Sequence, residues 1–139
     1  KLYWSNFEYW DESKHFDIPV KKCGLKFPKK KQSNSLNKNS HIDQELYPLH
    51  MYIAYLKFGF SRATTDTSIE IRHQRLKRKS AIEIVKKKDH IFPLEFLNKY
   101  LKYFKIEKKL FIKILRSKFN RKIFKDSKNI FNVKLRKFE

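Results

Sequence analysis

Glycine is nearly absent: the 139 residues contain two, Gly24 and Gly59. A loop that cradles phosphates needs several glycines close together, so neither a phosphate loop nor a dinucleotide fingerprint can be built on this chain. Cysteine is scarcer still. Cys23 stands alone, which excludes an internal disulfide and leads us to expect a reduced, cytoplasmic setting. With no histidine neighbourhood it reads as a small, semi-buried residue rather than a nucleophile. His15, His41, His50, His73 and His90 show no metal-ligand spacing, and there is no Cys-x-x-Cys, so no metal site is expected. No run reaches the roughly 18 apolar residues of a membrane span. Acidic residues number 14 against 34 basic ones.

The resulting net charge of +20 has two readings. One is a polyanion partner. The other is compositional drift, because lysine dominates the basic residues and phosphate or base readers favour the planar fork of arginine. Hydrophobic residues at 40% leave room for one modest core, carried mostly by 13 Phe, seven Tyr and two Trp.

The chain opens at Lys1 on Leu2, Tyr3, Trp4, Phe7, Tyr9 and Trp10, interrupted by Ser5, Asn6, Glu8 and Asp11. A signal peptide needs a continuous apolar stretch, so this is none; the abrupt aromatic opening leads us to expect a fragment of a longer protein. A short helix is expected near Asp11 to Phe16, with Pro19 and Gly24 breaking any longer one. From Pro28 to Ser40 the composition reads as an exposed polar loop or linker. Leu49, Tyr52, Ile53 and Leu56 then follow at helical spacing, with Pro48 suited to the first turn and Gly59 to the end. A next helix is expected from about Asp66 or Thr67. Three more follow: Ser80 to Lys88 with Ile82 and Val85 inward, Pro93 to Phe104 with Leu94, Leu97, Leu101 and Phe104 on one face, and Glu107 to Phe119 with Leu110, Phe111, Ile114 and Leu115 inward. Residues 120–139 read as a basic tail.

The densest chemistry lies between Gly59 and Arg75. Arg62, Arg72 and Arg75, three of the chain's seven arginines, sit beside Thr64, Thr65, Asp66, Ser68 and Glu70. Arginine beside hydroxyls suits a phosphate or carboxylate ligand. The same residues equally suit an Arg–Glu and Arg–Asp network locking two helices together. The pair of helices after Pro93 admits a helix-turn-helix reading, but the second helix offers lysine where base readout uses Arg, Asn or Gln.

The run Tyr55-Leu56-Lys57-Phe58-Gly59-Phe60-Ser61-Arg62-Ala63-Thr64, continuing to Ser68-Ile69-Glu70-Ile71-Arg72 and Arg75, resembles the C-terminal part of the N-acetyl sugar amidotransferases. These are pyrophosphate-loop ATPases of lipopolysaccharide O-antigen and related surface-sugar biosynthesis. Tyr9-Trp10-Asp11 and the Leu94 to Ile114 region resemble further parts of that family, over roughly residues 3 to 115. The resemblance implies a mainly α segment, the helical C-terminal part of a larger α/β protein of the adenine nucleotide alpha-hydrolase type. Residues 1–40 would be the end of the ATPase domain plus a polar linker, 41–119 the helical segment and 120–139 the tail. It implies ATP with Mg as cosubstrate of the parent, none on this chain alone, and conversion of an N-acetyl group of a nucleotide-linked sugar to an acetamidino group. It further implies glutaminase and barrel-type ammonia-delivering partners. Arg62, Thr64, Ser68, Glu70, Arg72 and Arg75 are the expected substrate- or phosphate-binding residues. A small basic helical nucleic-acid-binding protein is the alternative. The sequence departs from the family pattern at Ser61 for a glycine, Thr65 for an acid, Lys77 for a helix-capping threonine, and Lys79 and Ser80 for acids. The ATP-gripping Ser-Gly-Gly-x-Asp-Ser loop and the family's Cys-rich N-terminal portion are absent.

Overall fold

The computed structural model describes residues 1–27, 33–37, 41, 43–125, 128–133 and 135. Much of the polar 28–40 stretch, Ile42 and the last four residues of the basic tail therefore lie outside the described residues. Among the described residues the chain is helical, with one isolated antiparallel bridge between Phe124 and Leu135. A 3-10 turn at Trp4–Asn6 precedes α1 (Glu12–His15), α2 (Asp17–Cys23), α3 (Tyr47–Phe58), α4 (Arg62–Arg72) and α5 (Arg78–Lys88). A second 3-10 turn, Leu94–Phe96, leads into α6 (Leu97–Phe104), and α7 (Lys108–Ser117) follows. No helix is long and apolar enough to cross a membrane among the described residues.

Glycine and proline act at the helix ends. Pro19 falls in the first turn of α2 rather than breaking it, because the first amides of a helix need no intrahelical acceptor. Gly24 and Gly59 close α2 and α3 in the left-handed region, at φ +69° and +83°. Cys23, at the end of α2, is exposed rather than semi-buried.

The core is built around α3. Leu49, Tyr52, Tyr55 and Leu56 meet Phe92, Leu97 and Tyr100 from the α5–α6 region and Phe111 and Leu115 of α7. The rest of that core comes from Phe124, Ile130 and Val133, in the segment expected to be a basic tail. Its backbone joins too: the hydroxyls of Tyr52 and Tyr55 donate to the carbonyls of Ile130 (2.7 Å) and Val133 (3.1 Å). Asn120 completes the seam, donating its backbone N–H to Leu56 O and its side-chain amide to Lys57 O. Those carbonyls belong to the last turn of α3, where no intrahelical donor remains. Lysines between the apolar positions mask this packing in the sequence.

Several expected faces are corrected. Leu94 and Phe104 are exposed, as are Leu110, Ile114 and Ile82. In α7 both Leu110–Ile114 and Phe111–Leu115 are four apart, and the core takes the row bearing the larger aromatic. In α5 the small Ala81 is buried in place of Ile82. On α4, which packs against α5, Ala63 is fully buried. In the polar stretch read as exposed, Asn34 and Ser35 are buried.

Candidate functional site

The Gly59–Arg75 segment is α4 with its flanks. The helix begins at Arg62, one turn earlier than expected, and the reason lies elsewhere in the chain. Two amides at its N-terminal end, those of Ser61 and Thr64, are satisfied by Asp89, at the end of α5. Asp89 accepts from Ser61 N–H (2.9 Å) and Thr64 N–H (3.1 Å), and from the Thr64 hydroxyl. This carboxylate is 3% exposed. Ser61, the local N-cap, makes no side-chain capping bond and donates its hydroxyl to Met51 O instead. A carboxylate at a helix N-terminus also meets the positive end of the macrodipole. Thr64 is thereby committed to the scaffold.

One turn on, Asp66 is 2% exposed and ties three elements together. It pairs with Arg62 Nε at 2.6 Å, and accepts from the Ser35 hydroxyl (3.0 Å) and Leu36 N–H (2.9 Å). Arg62 in turn donates to the hydroxyl of Tyr47 at 3.0 Å and lies over its ring, 5.7 Å from the centroid. Arg62 is 8% exposed, so its guanidinium is spent on joining α3, α4 and residues 33–37.

At the other end, Arg75 makes a bidentate pair with Glu70, Nε to Oε2 at 2.7 Å and Nη2 to Oε1 at 2.9 Å. It also donates Nη1 to Asp11 at 2.8 Å. The hydrogen bond from Arg75 holds the Glu70 carboxyl below its ordinary value. A lowered carboxylate makes a weak base, and the two-point contact holds Glu70 and Arg75 against each other. Asp11, 2% exposed, anchors the aromatic N-terminal segment to α4, and Tyr9 hydroxyl pairs with Nδ1 of His73 beside it. The aromatic side chains of that segment remain solvent-facing: Trp4 is 63% exposed and Tyr9 70%.

What α4 leaves outward is narrower than the expected six residues. Thr65, Ser68 and Arg72 are exposed and spaced three and four apart, hence on one side of the helix. Ser68 bonds back to Thr64 O at 2.7 Å. Among the described residues the Arg72 side chain has no hydrogen bond or ion pair. Asp66 stands in the motif as the acid of the expected Arg–Asp pairing, whereas Asp89 is an organising residue that the Gly59–Arg75 motif does not contain. Asp89 did carry a signal: an acid at the C-terminal end of a helix opposes the dipole, and a local rule broken there points to a tertiary duty. Among the described residues no three His, Cys, Asp or Glu side chains group to hold a metal.

No curated protein matches the chain. A family model does, over residues 25–137, a range that takes in α3 to α7 and the core-forming segment after Asn120 and leaves the aromatic opening outside. With four fifths of its length matched, the chain belongs to the C-terminal domain family of WbpG-like LPS biosynthesis proteins.

Proposed function

We propose that this chain is the C-terminal domain of an ATP-dependent N-acetyl sugar amidotransferase of surface-polysaccharide biosynthesis, and that α4 contacts the phosphates of its nucleotide-linked sugar or of ATP. In that chemistry the N-acetyl carbonyl oxygen attacks the α-phosphorus of ATP and pyrophosphate leaves. Ammonia then displaces the adenylated oxygen as AMP, giving the acetamidino group. A glutaminase and a barrel-type subunit would supply the ammonia. The family supports the biosynthetic class. Gly24 and Gly59 both serve as helix C-caps here, so grip on ATP is assigned to another part of the polypeptide. This domain contributes charge and position.

One observation carries the ligand assignment: the division of labour along α4. Buried carboxylates fix both flanks, Asp89 and Asp66 at the start and Asp11 through Arg75 at the end. Between them an unspent guanidinium, Arg72, stands in line with the Thr65 and Ser68 hydroxyls. The backbone that carries the guanidinium needs no ordering on meeting a phosphate, and a fork binds two oxygens at once.

The test uses protein in which this domain is joined to its ATP-binding part. Nucleotide-linked N-acetyl sugars are incubated with ATP and ammonium, and mass spectrometry follows AMP release and replacement of a carbonyl oxygen by NH. Arg72→Lys keeps the charge and loses the fork. It should leave melting unchanged and raise KM for the sugar nucleotide or ATP about tenfold, the scale of one charge-assisted hydrogen bond. Unchanged KM in a normally melting variant removes Arg72 from the site. Absence of AMP with every sugar nucleotide removes the reaction.

A further inference from the structure

We infer that the outward face of α7 is a docking surface for an anionic lipid bilayer. This stands independently of the amidotransfer reading. Charge is unevenly placed along the chain. From Phe96 to Lys125 there are 11 basic residues and one acid, Glu107, whereas the whole chain carries 34 and 14.

The side chains of α7 are sorted. Phe111 and Leu115 enter the core. The next row round the helix, Leu110 and Ile114, is 46% and 42% exposed. Adjoining it is a row of exposed lysines, Lys109 and Lys113, four residues apart. Neither lysine has an acidic partner among the described residues. At the corner leading from α6, Tyr103 and Phe104 are exposed at 67% and 44%.

An aliphatic row beside a lysine row is the pattern of a helix lying in a bilayer interface. The aliphatics enter the acyl boundary, the lysine stems snorkel, and the ammonium groups meet anionic headgroups. Nucleic acid fits less well, since Leu110 and Ile114 offer nothing to phosphates and α7 has no Asn or Gln for base edges.

The experiment is flotation of the 139-residue chain with phosphatidylcholine vesicles, with and without one third phosphatidylglycerol. A chain of this charge adheres weakly to any anionic surface, so position must be tested. Lys109→Glu with Lys113→Glu is compared with Lys79→Glu with Lys87→Glu, exposed lysines of α5 carrying the same charge change. Leu110→Ser with Ile114→Ser removes the aliphatic row, and circular dichroism confirms that each variant folds. The expected result is binding to the anionic vesicles alone, weakened about tenfold or more by either α7 variant and less than about threefold by the α5 control. Equal losses from the two charge variants overturn the proposal, as does full binding after Leu110→Ser with Ile114→Ser. Tighter binding to duplex DNA than to the vesicles, indifferent to the Leu110 and Ile114 change, overturns it in favour of nucleic acid.

Discussion

Replacing Asp89 by alanine removes the cap of α4 without touching α4 itself. Three donors lose their acceptor: the amides of Ser61 and Thr64 and the Thr64 hydroxyl. Ser61 is fully buried and Thr64 partly so, so water replaces the carboxylate poorly at the first amide. Loss of an N-cap costs about 1 kcal/mol, and a buried donor left unmatched costs about 1–3 kcal/mol more. A loss of about 3 kcal/mol follows, large against the 5–15 kcal/mol typical of a domain. With a urea slope of about 2 kcal/mol/M, the midpoint falls by about 1.5 M. Urea titration followed by circular dichroism reads this directly. Thr64→Ala made alone and with Asp89→Ala completes a cycle. Contact between the two predicts a coupling above about 0.5 kcal/mol. A midpoint shift under about 0.3 M, or strict additivity, refutes the long-range cap.

Further outcomes follow from the same contacts. Burial pushes the Tyr55 phenol up to about 12 from 10.0, and burial raises Tyr52 and Tyr100 as well. A raised folded value stabilises the protonated fold fully below pH 10, so melting temperature should hold to that point and fall as pH climbs from 10 toward 12; a flat profile there contradicts their burial. Glu70, held low by Arg75, contributes above its ordinary value of 4.5 and loses that contribution as pH drops below it. Glu70→Gln should therefore flatten the acid limb of the melting profile, and an unchanged limb refutes the pair. Ending the chain after Phe119 removes Phe124, Ile130 and Val133 from the core and should abolish cooperative melting, whereas a dispensable tail predicts an unchanged transition. Gly59→Ala sets a Cβ 3.1 Å from Ile123 and Leu135 at φ +83°, so about 1–2 kcal/mol should be lost in urea titration; no loss contradicts that geometry.

Local signals were legible in the sequence and tertiary ones were not. The spacing of Leu49, Tyr52, Ile53 and Leu56 with Pro48 and Gly59 at the ends places α3 within a residue or two, because each signal acts through its own turn. The start of α4 falls a turn before the one its own residues suggest because its cap, Asp89, lies 25 residues from Thr64. The last segment reads as a tail because its lysines outnumber the few apolar residues that reach the core. Periodicity identifies α7 as amphipathic but offers two equivalent rows, and only packing chooses Phe111–Leu115 over Leu110–Ile114. At the site, the arginines stand out by composition, yet which of them is free for a ligand depends on the acids that pair with them, Asp66 and Glu70 on α4 itself and Asp11 from the N-terminal stretch. Asp11 and Asp66 take up Arg75 and Arg62, and the choice of Arg72 emerges only by subtraction.

The proposed contact of Arg72 on α4 with a phosphorylated ligand is read residue by residue by proton–nitrogen correlation NMR of this chain. A nucleotide-linked N-acetyl sugar is titrated into the labelled protein and into Arg72→Ala. The prediction is saturable shifts at the amides of Thr65, Ser68 and Arg72 and at Arg72 Nε, abolished in the variant, with the Asp89-capped amides of Ser61 and Thr64 nearly still. Shifts that grow without saturation along the exposed lysines, or saturable shifts elsewhere with α4 silent, contradict it.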